Sequence, residues 1–241
     1  MAKLDGVRAL VFDVFGTVVD WRGSMAREAE PFLRRHGAAG TDPETFADAW
    51  RRRYGPAMEE VRSGRRPFVR LDVLHRENLR AILPDFGIDP GAVPASELDE
   101  LNRAWHRLDP WPDSVPGLAR LKRGFIVAPL SNGNVALLLN MAKRAGLPWD
   151  GILGAEVARA YKPAPQSYTN TADVLGLRPD ELCLVAAHND DLAAAKSCGL
   201  RTAFVPRPTE HGPGQTTDLA PAGDWDATAP DFEALAGGLG L

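Results

Sequence analysis

The stretch Val7–Asp20, VRALVFDVFGTVVD, decides the fold. Ala9, Leu10, Val11 and Phe12 form an unbroken apolar run, and Val14 resumes it beyond Asp13. A short run of this kind marks a strand buried in a parallel sheet. It ends on a carboxylate, and Phe15-Gly16-Thr17 then turn the chain. Open α/β sheets bind their ligands in the crevice outside the carboxyl ends of the strands. Asp13 is therefore expected at that crevice as a reacting group, and not merely as a cap for the turn.

Outward from this strand, the pattern changes. From about Met25 to Arg107 the chain reads as helices only, broken at Gly37–Gly40, Ser63-Gly64 and Pro90-Gly91. Thr41-Asp42-Pro43-Glu44 has the form of a helix start with proline in the first turn. From Pro112 onward strands and helices alternate. Strands are expected at Gly124–Leu130, Gly151–Gly154, Glu181–Ala187 and Arg201–Val205, with a last edge strand at Trp225–Thr228. Helices are expected up to Ala145, over Pro165–Leu175 and Asp190–Cys198, and at Asp231–Leu235. Alternation of this kind gives an α/β fold: a doubly wound, Rossmann-like parallel-sheet core with an inserted all-helical cap domain. The expected division is residues 1–20 and 109–241 for the core and 21–108 for the cap. A cap hinged over the strand ends would keep water out of the crevice. Pro206–Gly223, rich in Pro, Gly and Thr, reads as a loop to which no function is assigned.

Composition narrows the class. The 241 residues are 44% hydrophobic and 25% charged, ordinary for a soluble globular protein. A net charge of −4 gives no electrostatic case for nucleic acid, and Arg51-Arg52-Arg53 and Arg65-Arg66 are short runs among acids. The two cysteines, Cys183 and Cys198, have no metal or redox spacing and read as reduced thiols of a cytoplasmic protein. No signal peptide or membrane-spanning run is expected.

Polar residues gather at the strand ends. The first strand offers Asp13 and Thr17, the second Ser131 and Asn132. The connection that follows offers Lys162, and the last offers His188, Asn189, Asp190 and Asp191. A carboxylate nucleophile needs a positive neighbour to hold it ionised and hydrogen-bond donors to orient it. Lys162, Thr17 and Ser131 are of those types.

These segments resemble the motifs of the haloacid dehalogenase superfamily: DVFGT at Asp13–Thr17, LSNG at Leu130–Gly133, Lys162-Pro163, and the acids near Asp191. The resemblance covers nearly the whole chain. FDVFGTVVDW, the Trp50-Arg51 pair, and Tyr168 six residues after Lys162 are similar to the type II 2-haloacid dehalogenases in particular. The resemblance implies metal-independent hydrolysis of short 2-haloalkanoic acids, with no cofactor. Asp13 attacks the α-carbon and expels halide, and water then hydrolyses the aspartyl ester to a 2-hydroxy acid. It implies that Thr17 and Lys162 orient Asp13 and that Asp191 ties Lys162 down, buttressed by Tyr168. Ser131 and the backbone near Asn132 would hold the substrate carboxylate, and Arg51 would meet the halide. Phe15 and Trp21 would wall the pocket or pack at the hinge. Separately, exposed apolar positions on a helical cap make a homodimer plausible. Two alternatives stay open: another small carboxylate, such as a cyclic imino acid, or an Mg²⁺-dependent phosphatase.

Departures from the pattern matter. The superfamily's phosphatases carry a second aspartate where this chain has Phe15, and an acid where it has Ala187. A hard divalent cation wants oxygen ligands, so both changes count against Mg²⁺. Type II dehalogenases carry Ser-Ser-Asn where this chain has Ala186-Ala187-His188. His188 either places the hydrolytic water as a general base or only fills space and binds a carbonyl. Asn189 is expected to cap the following helix.

Overall fold

The computed structural model describes residues 4–241. The chain opens with β1 (Ala9–Phe12) and β2 (Val19–Asp20) and passes into α1 (Trp21–Arg35), α2 (Pro43–Arg52), α3 (Tyr54–Arg62), α4 (Leu71–Ile82) and α5 (Ala95–Asn102). It returns through β3 (Asp109–Pro110), α6 (Ser114–Leu121), β4 (Ile126–Pro129), α7 (Val135–Ala145), α8 (Ala155–Ala158) and α9 (Pro165–Val174). β5 (Leu182–Ala186), α10 (Asn189–Ser197), β6 (Arg201–Phe204), β7 (Ala227–Thr228) and α11 (Phe232–Gly238) complete it. Among the described residues no helix is long and apolar enough to cross a membrane.

Five parallel strands run in the order β4-β1-β5-β6-β7. β1 is central and fully buried, and its side chains alternate between two apolar clusters. Leu10 and Phe12 join one, while Ala9 and Val11 join the other. This is the period-2 geometry of a strand covered on both faces. The first cluster runs without a break into the helical block, through Phe15, Trp50 and Trp105. Phe12 pairs with Pro129 on one side and Val185 on the other. Three strands therefore end at one level, and the residues after each emerge along a common edge.

The helical block leaves and rejoins the core through an antiparallel ribbon, with Val19 opposite Pro110 and Asp20 opposite Asp109. Asp20 caps α1 by accepting the Gly23 N–H at 2.9 Å. Asp42 caps α2 by accepting from Glu44 and Thr45, with Pro43 in the first turn.

Two expectations are corrected. Gly151–Gly154 is not a strand. Asp150 exchanges bonds with the Val127 backbone through its own N–H and its side chain, which ends the pairing after one residue. Asn189 does not cap α10; His188 occupies the cap position without a side-chain bond. The Asn189 amide instead holds the 206–223 loop, bonding Asp218, the Ala220 carbonyl, the Ala222 N–H and the Trp225 indole.

Candidate active site

Asp13 follows β1 directly and forms the floor of the site. Its two carboxylate oxygens have different partners. Oδ1 accepts from Lys162 Nζ at 2.8 Å. Oδ2 accepts from the Thr17 hydroxyl at 2.7 Å and lies 3.2 Å from His188 Nδ1. Thr17 is fixed in turn, because its Oγ1 accepts the Ala187 N–H at 2.9 Å. Lys162 also donates to Asp191 Oδ2, while the Tyr168 hydroxyl donates to Asp191 Oδ1 at 2.7 Å. The Lys162 backbone N–H donates to Asn132 Oδ1 at 2.7 Å, joining the loop after α8 to the end of β4.

The 206–223 loop supplies a residue that the sequence reading missed. Glu210 is 1% exposed, and its Oε2 lies 2.8 Å from His188 Nε2. Its Oε1 accepts the Trp21 indole N–H at 2.9 Å. His188 thus stands between two carboxylates. The loop is anchored by Arg207, which donates to the Thr17 carbonyl at 2.8 Å and forms a two-pronged pair with Asp113. Gly16, at φ +91°, leaves room for the acid, since a Cβ there would lie 2.0 Å from Glu210 Oε1. The only sign of Glu210 in the sequence was indirect: an imidazole beside a carboxylate needs an acceptor for its other nitrogen, and the unassigned loop carries two acids, Glu210 and Asp218.

Charge fixes the protonation states. Burial alone would raise the Asp13 carboxyl, but Lys162 and His188 outweigh it and hold it well below the usual carboxylate range. Burial would lower Lys162, yet Asp13 and Asp191 push it further up. Burial would also lower His188; Glu210 and Asp13 overcome this and raise it well above the ordinary imidazole value. Glu210 is lowered, its burial being outweighed by His188. The resting floor is an ionised network with nearly every charge paired.

Above Asp13 lies a cavity of about 440 Å³, walled on the helical side by Phe15, Arg51, Tyr54 and Met58. Lys162, Tyr168, His188, Asp191, Glu210 and Asn132 also reach it. The Arg51 guanidinium lies 4.0 Å from the Tyr54 ring centroid, and its Nη1 is buried without a partner. Arg52 and Arg53 are exposed. Asn132 Oδ1 is taken by Lys162, so its Nδ2 is the end free for a ligand.

Two expected residues do not line this cavity. Ser131 is buried beside a smaller cavity near α8 and α9, and its hydroxyl accepts the Gly133 N–H at 3.1 Å. Trp21 is 1% exposed, stacked on Trp105, with its polar edge committed to Glu210.

The donor set does not fit a divalent cation. Phe15 packs edge-on against Trp105, and Ala187 offers a methyl group. An ammonium and an imidazolium already occupy the Asp13 oxygens, and they would repel a metal.

Residues 7–199 match the profile of haloacid dehalogenase-like hydrolases. The chain belongs to the haloacid dehalogenase-like hydrolase family. It is 30% identical over 207 residues to (S)-2-haloacid dehalogenase 4A of Burkholderia cepacia, covering 85% of each chain. A solved defluorinating L-2-haloacid dehalogenase is 56% identical, with a TM-score of 0.95 over 98% of this chain and 96% of that one. A second solved L-2-haloacid dehalogenase is 46% identical, with a TM-score of 0.91 over 97% and 99%.

Proposed function

We propose that this family member hydrolyses short 2-haloalkanoic acids, fluorinated ones included, to 2-hydroxy acids through an aspartyl ester at Asp13. The observation that carries this reading is the setting of Asp13. It is an ionised carboxylate with a lysine and a histidine on its oxygens, under a small cavity roofed by an arginine. The names of the similar proteins support the same reading.

In the first half-reaction an Asp13 oxygen attacks Cα in line, the C–O bond forms, and the carbon–halogen bond breaks. Oδ1, with a single donor, is the freer oxygen. The halide departs toward Arg51, whose unpartnered Nη1 can stabilise the developing charge. Asn132 Nδ2 and the backbone of the Ser131–Asn132 turn receive the substrate carboxylate. Residues 21–108 act as the cap over the core of residues 1–20 and 109–241 and keep bulk water from the reacting carbon.

In the second half-reaction water attacks the Asp13 carbonyl carbon. Ester formation has by then removed the Asp13 charge, so His188 loses one of the two neighbours that kept it protonated. The imidazolium releases its Nδ1 proton to solvent through the cavity, and the neutral imidazole then takes one proton from the attacking water, with Glu210 holding Nε2. The tetrahedral centre collapses, the bond to the product oxygen breaks, and His188 returns the proton to that oxygen. The Asp13 carboxyl, now holding one oxygen and the second proton from water, passes that proton to His188, so carboxylate and imidazolium are both restored, and Cα has been inverted once.

The test is halide release from (S)-2-chloropropionate, chloroacetate and fluoroacetate, with and without EDTA, beside Asp13→Ala. Release that survives EDTA, is absent in the variant, and carries ¹⁸O from labelled water into Asp13 in a single turnover is expected. Mg²⁺-dependent cleavage of a phosphate ester, with no halide from any substrate, would overturn the reading.

A further inference from the structure

We propose that Trp21 is a positioning residue for ester hydrolysis, holding Glu210 in the orientation that faces His188. The inference rests on the ester mechanism above and extends it to a residue that touches neither substrate nor Asp13.

A buried carboxylate can turn about its last bond unless both oxygens are held. Glu210 Oε2 meets His188 Nε2, and Oε1 meets the Trp21 indole N–H. His211 is the further group near Oε1, at 3.6 Å, and its side chain is 43% exposed, which makes it a weak restraint. The third restraint is steric: the carboxylate fills the space beside Gly16 where any other residue would carry Cβ. The acid is thus clamped by two donors, the indole and the imidazolium, and by one missing side chain.

The donor's own position is what couples the two lobes. Trp21 is the first residue of α1, directly after the β2–β3 ribbon through which the chain enters the helical block. Its indole stacks on Trp105, close to where the chain leaves that block, at 6.5 Å between centroids and 23° between planes. On the cavity side the Arg51 guanidinium lies 5.2 Å from its ring centroid. One rigid ring therefore spans the entry of the cap, its exit, the arginine at the cavity, and the acid behind the general base. Correct seating of the cap and correct orientation of Glu210 become one event, so the water-activating pair is complete only when the cap is in place.

The mechanism predicts an effect on one half-reaction alone. In Trp21→Phe the ring remains and the N–H is lost. Rapid quench with intact-protein mass measurement follows the aspartyl ester directly. Its formation is expected to stay within about twofold of native, and its decay to slow by about tenfold, the scale of losing one supporting hydrogen bond. kcat and KM should then fall together while kcat/KM is retained, because kcat/KM reports steps up to the irreversible alkylation. Trp225→Phe, which removes an indole N–H bonded to Asn189 in the same tail, should leave both phases unchanged. Should Trp21→Phe fail to fold, 3-benzothienylalanine placed at position 21 keeps the shape and removes only the donor. Ester decay at the native rate, or ester formation slowed as much as decay, overturns the inference while leaving the dehalogenase reading intact. No halide from the native enzyme overturns both.

Discussion

Two histidines, one partly exposed at the cavity floor and one buried in the helical block, have opposite fates. His188, on the core, lies between Asp13 and Glu210, and both ring nitrogens are engaged. His75, in the helical block, is 1% exposed and stacked on Trp105 at 4.2 Å, and neither ring nitrogen has a partner. Burial acts to lower both. At His188 two carboxylates reverse it, while at His75 burial prevails and the group falls to about 3. The contrast extends to the regions. The floor is a closed ionic network around Asp13. The roof is aromatic, and its Arg51 Nη1 and Trp105 Nε1 are also unpartnered. Preorganised charge belongs where bonds are made and broken, and unspent donors belong where a departing anion arrives.

The comparison breaks most severely at the floor. Asp13→Asn should lower halide release by on the order of 10⁴-fold or more, with no ester detectable by mass, since the step has no other nucleophile. Glu210→Gln should slow ester decay by up to about 10⁴-fold, the scale of losing the carboxylate that orients a general-base histidine, with a stoichiometric halide burst preserved. At the roof, Arg51→Met should lower kcat/KM by about 10²- to 10³-fold, as for loss of one donor to a developing anion. Thermal melting should show only a small loss of stability in that variant, because the buried Nη1 has no hydrogen-bond partner and methionine keeps contact with the Tyr54 ring that the guanidinium covers.

The smallest effect concerns pH and stability, and the two histidines carry opposite signs. The folded value of His75 is depressed, so below the unfolded value near 6.5 the unfolded chain takes up a proton that the native chain refuses. That costs about 2 kcal/mol between pH 6.5 and 5. Denaturant unfolding of His75→Phe should lose that slope. The folded value of His188 is raised, so its stabilisation is complete below about pH 6.5 and fades as pH rises through the higher folded value. His188→Asn should therefore lose most stability on the acid side, the reverse of His75→Phe.

The floor was largely legible in the sequence, because strand periodicity locates strand ends and strand ends collect the reacting groups. Asp13, Thr17, His188 and Asp191 converge in this way, following β1 and β5, whereas Lys162 arrives from the loop after α8, where no strand precedes it. Glu210 escaped because an acid in a Pro/Gly-rich loop has no periodicity, and its burial depends on Arg207, Trp21 and the bare Gly16. Trp21 was legible as a hinge residue or a pocket wall; its donor role needs the partner in space. Ser131 had the expected hydroxyl at the expected strand end, but its rotamer is set by the Gly133 N–H. Ile152-Leu153 looked like a strand because a short apolar run does not reveal where its ladder ends.

The placement of Glu210 on the 206–223 loop divides capture from release. Asp13, Lys162, Arg51 and Asn132, which meet the haloacid, all sit outside that loop, and the loop alone brings the acid that supports release. A folded protein with the loop displaced from Gly16 would be a one-shot alkylation trap, and only the seated loop turns it into a catalyst that cycles.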